Sequence, residues 1–412
     1  MRRRVRLLVI ALSMVACSNG SSGSNHPGLG GSMGSGGVTS SASGGSTGGA
    51  GPVADAGASA PGDSLSPEDA PPFPNGGQEY QSIANLVDPA LVQKIESVLS
   101  SSNSTEDYSQ VTQAFYALYP DEYDFLYLFL DHQPATAQVD ASFIVANRPA
   151  IPGTGIDTPV ALTRFGSRGR LKGAAGFQAT SSADSLPAIA HETMHYWGNY
   201  LDPALGFGRE RDYDYGPHWG LTGVYGQLGG FDPTSLQCPP PDGARPPDCT
   251  LDPDTNEYYY ETSAFTPGTN TFLGIPYAPL ELYLMGLLPA SDLPASFPVI
   301  TNGRFDGTVA TIAFMAGSGV GQIATSAIVS RHGARALAAE SDKHFTAAFV
   351  LVTDAPATTD QLDRVVFYKQ VLGGEIASLN GSMSFAYHTG GRATMTTDIG
   401  RRRNSSDPPP VQ

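Results

Sequence analysis

The chain of 412 residues is short of cysteine, tryptophan and charge: it has three cysteines and two tryptophans, and Asp, Glu, Lys and Arg together make up 15%. So few cysteines exclude a disulfide-rich scaffold and a tetracysteine metal site. Basic residues are scarcer than acidic ones, 23 against 39, and the formal charge of −16 repels phosphate, which excludes nucleic acid as a partner. No apolar run is long enough to span a bilayer as a helix. No repeat of about 20–50 residues recurs, which excludes a solenoid. Hydrophobic residues still make up 40% of the chain, enough for one large domain or two modest ones with a core.

The first 17 residues, "MRRRVRLLVIALSMVAC", combine a basic start, a short apolar stretch and small residues before Cys17, the pattern of a cleaved export signal. "MVAC" resembles the bacterial lipobox, with Met14 where leucine is usual. That resemblance implies a lipid anchor at Cys17 in a membrane of the bacterial cell envelope, at the outer membrane or cell surface, with plain secretion as the alternative. If Cys17 carries lipid, Cys238 and Cys249 are left as a pair, and the Pro-rich "CPPPDGARPPDC" between them is short enough for one bridge to close. Residues 18–78 are Gly, Ser, Ala and Pro with hardly a large apolar side chain, so they form a disordered tether. The folded domain is expected over residues 79–400 and a disordered tail over 401–412.

Within the domain, "STEDYSQVTQAFYALYP" places Val111, Phe115 and Leu118 on one helical stripe. "YDFLYLFLD" (123–131) and "SFIVANRP" (142–149) read as strands, and "FGSRGRLKGAAGFQ" (165–178) as a loop and an edge strand able to pair with an extended peptide. "FTAAFVLVTD" is a later strand, and "TTDQLDRVVFYKQVLGG" a helix capped at Asp360 and stopped at Gly373. Without regular βαβ alternation the fold class is α+β.

The chemistry concentrates in "HETMHYWGNY" (191–200). Asp184 or Ser185 can cap a helix here, Pro187 suits its first turn and Gly198 its end. At about 100° per residue, Leu186, Ile189, Ala190, Thr193, Met194 and Trp197 share one side while His191, Glu192 and His195 share the other. Imidazoles at i and i+4 lie about 5–6 Å apart at Cβ and converge on one zinc at about 2.0–2.1 Å. Glu192 projects beside them as a general base for a water whose pKa zinc lowers towards about 7.

This motif resembles the zincin superfamily of metallopeptidases, which implies a mixed sheet, an active-site helix and a mostly helical C-terminal part. Further pieces, "FGSRGRLKGAAGF", "AHETMHYWGNY", "GPHWG", "YAPLELYLMGLLP" and "TGGRATMTTD", are similar to those of uncharacterised exported bacterial proteins carrying the same helix. In the metzincin pattern the next ligand would fall at residue 201, which is Leu201. His218 in "GPHWG" is the preferred third ligand, with Glu281 in "PLELYLMGL", as in gluzincins, and Asp202 as alternatives; short of ligation, Glu281 would be an acceptor that orients a ligand histidine. Met285 is a candidate methionine turn, and Tyr213, Tyr215 and Tyr277 are candidate oxyanion donors. "DPDTNE" (252–257) echoes the start of a calcium loop but lacks its glycine and its final acid, so calcium is only weakly supported. His132, His332, His344 and His388 have no ligand spacing. The expected function is a zinc metalloendopeptidase acting on protein or peptide substrates. The alternative is a catalytically inactive surface lipoprotein that uses the zincin scaffold as a binding module. Hydrolysis of a non-peptide amide would use the same site.

Overall fold

The computed structural model describes residues 70–412 except 101–106, 133–140, 157–158, 179–181, 199, 211–212, 215, 240–248, 272–273, 377–382, 405–406 and 410–412. At 182–185, 209 and 213–214 it describes the backbone only. The expected export signal and almost all of the expected tether lie outside the described residues. Among the described residues no helix is long and apolar enough to cross a membrane.

Seven strands form the main sheet: β1 (Gln78–Tyr80), β2 (Ile83–Val87), β3 (Phe125–Leu130), β4 (Ala141–Val145), β5 (Gly173–Gln178), β6 (His344–Thr353) and β7 (Thr394–Thr396). Their order is β1-β2-β6-β3-β5-β4, with β7 also beside β6. β2, β6, β3, β5 and β7 pair in parallel, while β1 and β4 run antiparallel to their neighbours. The sheet is therefore mixed, in keeping with the α+β expectation.

The continuous apolar run of β3 follows from its central place, because both of its faces are covered. Phe125, Tyr127 and Phe129 point to one core, shared with helices α3 (Ser182–Met194) and α6 (Thr359–Gly373). Leu126, Leu128 and Leu130 point to the other, shared with α1 (Pro89–Ser100) and α2 (Ser109–Leu118). The expected stripe of Val111, Phe115 and Leu118 is the buried face of α2.

Four expectations need correcting. The Gly-rich strand is β5, and it lies inside the sheet, between β3 and β4. Its small residues are what let neighbours close over it: a Cβ at Gly176 would lie 2.4 Å from the Tyr108 hydroxyl, and one at Gly173 would lie 2.2 Å from the Phe143 ring. The edge strand on that side is β4. α6 is capped by Thr358, whose hydroxyl accepts from the Gln361 N–H, and Asp360 lies in the first turn. α3 begins at Ser182, so Asp184 and Ser185 lie within it and Pro187 falls in its interior.

The fourth correction is that the C-terminal part is not mostly helical. A four-stranded sheet runs Leu251–Asp252, Glu257–Ser263, Ile312–Gly317, Arg304–Val309, and Ser296–Thr301 pairs with Gly319–Ala324. These runs are separated by tight turns such as Asn302-Gly303, where Asn302 takes φ 46°. The helices there are short, α4 (Pro279–Met285), α5 (Thr325–His332) and α7 (Phe385–His388), apart from α6. Cys238 and Cys249 are bonded, with an S–S distance of 2.06 Å. In the tail, the Arg403 N–H donates to the Leu118 carbonyl and Arg401 pairs with Asp407 at 2.6 Å.

Candidate metal centre

α3 and the turn that follows it are fixed on their core side. Ile189, Ala190, Met194 and Trp197 pack in the core, and the Trp197 ring lies 6.1 Å from that of Phe125 on β3. The one polar residue on this side is satisfied: Thr193 shares a 2.7 Å hydrogen bond with the Tyr127 hydroxyl and donates to the Ile189 carbonyl. The Tyr277 hydroxyl donates to the Ala190 carbonyl at 2.8 Å. It is thus a buried brace of the helix, and the structure does not offer it as an oxyanion donor.

The opposite side carries His191, Glu192 and His195. His218 joins them from the segment 216–228. The three histidines each bring a ring nitrogen to within 4.8 Å of the others. They are 2%, 7% and 3% exposed in chain order. The Nε2 atoms of His191 and His195 are 3.1 Å apart, close to the roughly 3.3 Å between two nitrogens bound at about 2.05 Å to one tetrahedral ion. The His195 ring stands at 86° to that of His191 and 82° to that of His218. This buried triad can hold a metal ion, and among the described residues no other such cluster occurs.

The electrostatics suit that role. Burial pushes His191 down to about 3, helped by nearby His218 and opposed by the hydrogen bond to the Gln227 carbonyl. Burial, with His191 and His218 alongside, holds His195 well below the ordinary histidine value. Both rings are therefore neutral at physiological pH, as coordination requires. His191 Nδ1–H donates to the Gln227 carbonyl at 2.7 Å, with the Thr269 hydroxyl 3.1 Å away, which leaves Nε2 to face the other rings. Glu192 is fully buried on the same helix.

The other candidates take different places. Glu281 is fully buried, and its two oxygens accept four N–H donors: Trp219 Nε1 and Leu228 N at 2.9 Å, Ala278 N at 2.9 Å and Gln227 N at 3.0 Å. It is outside the triad and ties the segment carrying His218 to α4. Burial raises its pKa, and the four hydrogen bonds pull the other way. Asp202 accepts from Ala204 N at 2.9 Å and pairs with Arg331 at 2.6 Å. Leu201 and Met285 are core residues. Tyr215 and the Tyr213 side chain lie outside the described residues. In the candidate calcium turn, Asp252 caps Asp254 N and Glu257 pairs with Arg304, so these acids are already engaged.

Gln227, Thr269, Trp219 and Gly226 were not anticipated as parts of the site. Gln227 acts through its backbone carbonyl, which side-chain identity does not reveal. Compared with known proteins, the chain matches no family profile, no curated protein and no solved structure.

Proposed function

We propose that the protein is a zinc-dependent metalloendopeptidase, a zincin in kind, with His191, His195 and His218 as ligands and Glu192 as general base. The observation that carries this reading is the convergence of three buried imidazoles, with a buried carboxylate one residue from the first. Three protein ligands with a free fourth position are the usual catalytic zinc pattern, and three imidazoles are one such set. Bound there, zinc would supply Lewis acidity and an activated water at neutral pH. Glu192 takes the proton of the attacking water and returns it to the departing nitrogen. An extended substrate adds alongside β4, the last strand of the sheet, through main-chain hydrogen bonds. Export and lipid anchoring at Cys17 belong to the same proposal and would place the activity at the cell envelope.

Glu192→Gln tests the assignment. It should retain zinc and lose at least about a hundredfold in peptide hydrolysis. Undiminished cleavage would refute the mechanism, and wild-type protein that holds zinc yet cleaves no member of a peptide library would point to the binding-module reading.

A further inference from the structure

Glu281 is not among the three clustered imidazoles, yet it is bonded to the backbone that holds His191 and to the side chain that follows His218. Trp219, whose Nε1–H donates to Glu281 Oε1 at 2.9 Å, directly follows His218. The Leu228 N–H donates to the same oxygen at 2.9 Å, and the Gln227 carbonyl accepts from His191 Nδ1–H at 2.7 Å. That carbonyl and that N–H belong to a single peptide group. A continuous path therefore runs from carboxylate to peptide to imidazole to the metal position.

We propose that Glu281 is a positioning residue that orients and polarises His191 through the 227–228 peptide group and holds His218 in place through Trp219. Aligned hydrogen bonds strengthen one another in a low-dielectric interior. A carboxylate that accepts the peptide N–H makes the peptide oxygen a better acceptor for the histidine N–H, and a more electron-rich imidazole binds a cation more tightly. The arrangement does the work of a carboxylate hydrogen-bonded directly to a ligand histidine, with one peptide group inserted.

Two further features show that the path is built in. Gly226 has no side chain where a Cβ would lie 2.4 Å from the Glu281 carboxylate, so this position must be bare for the carboxylate to reach the segment. Asn270 closes the segment from the other side: its side-chain amide donates to the Gly230 carbonyl at 2.7 Å and the Gly226 carbonyl at 3.2 Å.

The proposal rests on the metal-centre reading, and the test separates the two. The purified full-length protein is titrated with Zn²⁺ and with Co²⁺ as wild type and as Glu281→Gln. The expected result is a 10–100-fold weaker affinity in the variant, a shift of the Co²⁺ d–d bands, and upfield movement of the His191 Nδ1–H proton resonance in the zinc-loaded protein. A merely structural glutamate would leave that resonance where it is. If the variant matches wild type in affinity, spectrum and resonance, the role of Glu281 is refuted while the metal centre stands. If wild type itself binds neither ion, both readings fall. Should Glu281→Gln fail to fold, Gly226→Ala, which displaces the carboxylate without altering it, is judged by the same three measurements.

Discussion

Replacing His218 by alanine is the sharpest probe of how the centre is closed. His218 is the one member of the triad contributed from outside α3 and the turn that directly follows it, so its removal leaves the other two imidazoles in place. A zinc held by four ligands is worth about 10–16 kcal/mol, so one ligand accounts for about 3 kcal/mol, near a hundredfold in affinity. At zinc a thousandfold above the wild-type Kd, binding stabilises wild type by about 4.1 kcal/mol, and a hundredfold weaker variant by about 1.4 kcal/mol. The lost 2.7 kcal/mol or so corresponds to a Tm lowered by about 5 °C for a domain of this size. The assay is thermal unfolding with and without zinc, together with competition against a chromophoric chelator. The gap between the proteins should open only with zinc present. A His218→Ala protein that binds zinc as tightly as wild type would refute the triad as the ligand set.

Three other outcomes follow from the same structure. Leu201→His, which restores the metzincin spacing, should leave metal affinity unchanged and cost about 2–4 kcal/mol in stability, because residue 201 is buried in the core; tighter zinc binding in a titration would show that 201 does face the metal. Replacing Cys238 and Cys249 by serine opens a loop with a sequence separation of 11 and should cost about 3 kcal/mol by loop entropy; an unchanged denaturation midpoint would contradict this. Partial burial disfavours the charged form of His132, but hydrogen bonds to Asp131 and Glu96 outweigh it and raise its pKa. The stabilisation that results is complete below about 6.5, the unfolded value, and is lost as pH rises through the raised folded value. His132→Gln should therefore narrow its Tm deficit from pH 6 to pH 8, and equal deficits at both would count against the pairing.

Local pattern was readable and long-range closure was not. The stripe of α2, the buried run of β3 and the two-sided character of α3 follow from side-chain spacing alone, and all three are present. β5 was misread because a strand of Gly and Ala looks weak and peripheral, whereas its lack of side chains is what admits Tyr108 and Phe143 against it. The C-terminal strands were missed because the helical expectation came from the family resemblance, and runs such as EYYYETS and IAFMAG carry no period-two alternation to mark them as strands. Glu281 stood out on α4, but the four donors that fix its role come from residues as far as 62 positions away.

The failure of residue 201 as a ligand has a physical cause close by. After α3 the Tyr200 hydroxyl donates back to the His195 carbonyl at 2.7 Å, and the Asp202 N–H donates to His332 Nε2 at 3.0 Å. Pinned on both sides, the intervening leucine joins the core, away from the metal face. The chain then runs on through Phe207, whose ring meets Trp219 at 5.5 Å, and Gly208, whose N–H donates to the Trp219 carbonyl at 3.4 Å. These contacts fold the following segment back towards the helix and deliver His218, the residue before Trp219, to the metal face. The place of Leu201 in the core and the arrival of His218 beside the other two imidazoles are thus two consequences of one turn: with residue 201 committed to the core, the third nitrogen of the cluster comes from a segment that returns later and is tied down by Glu281.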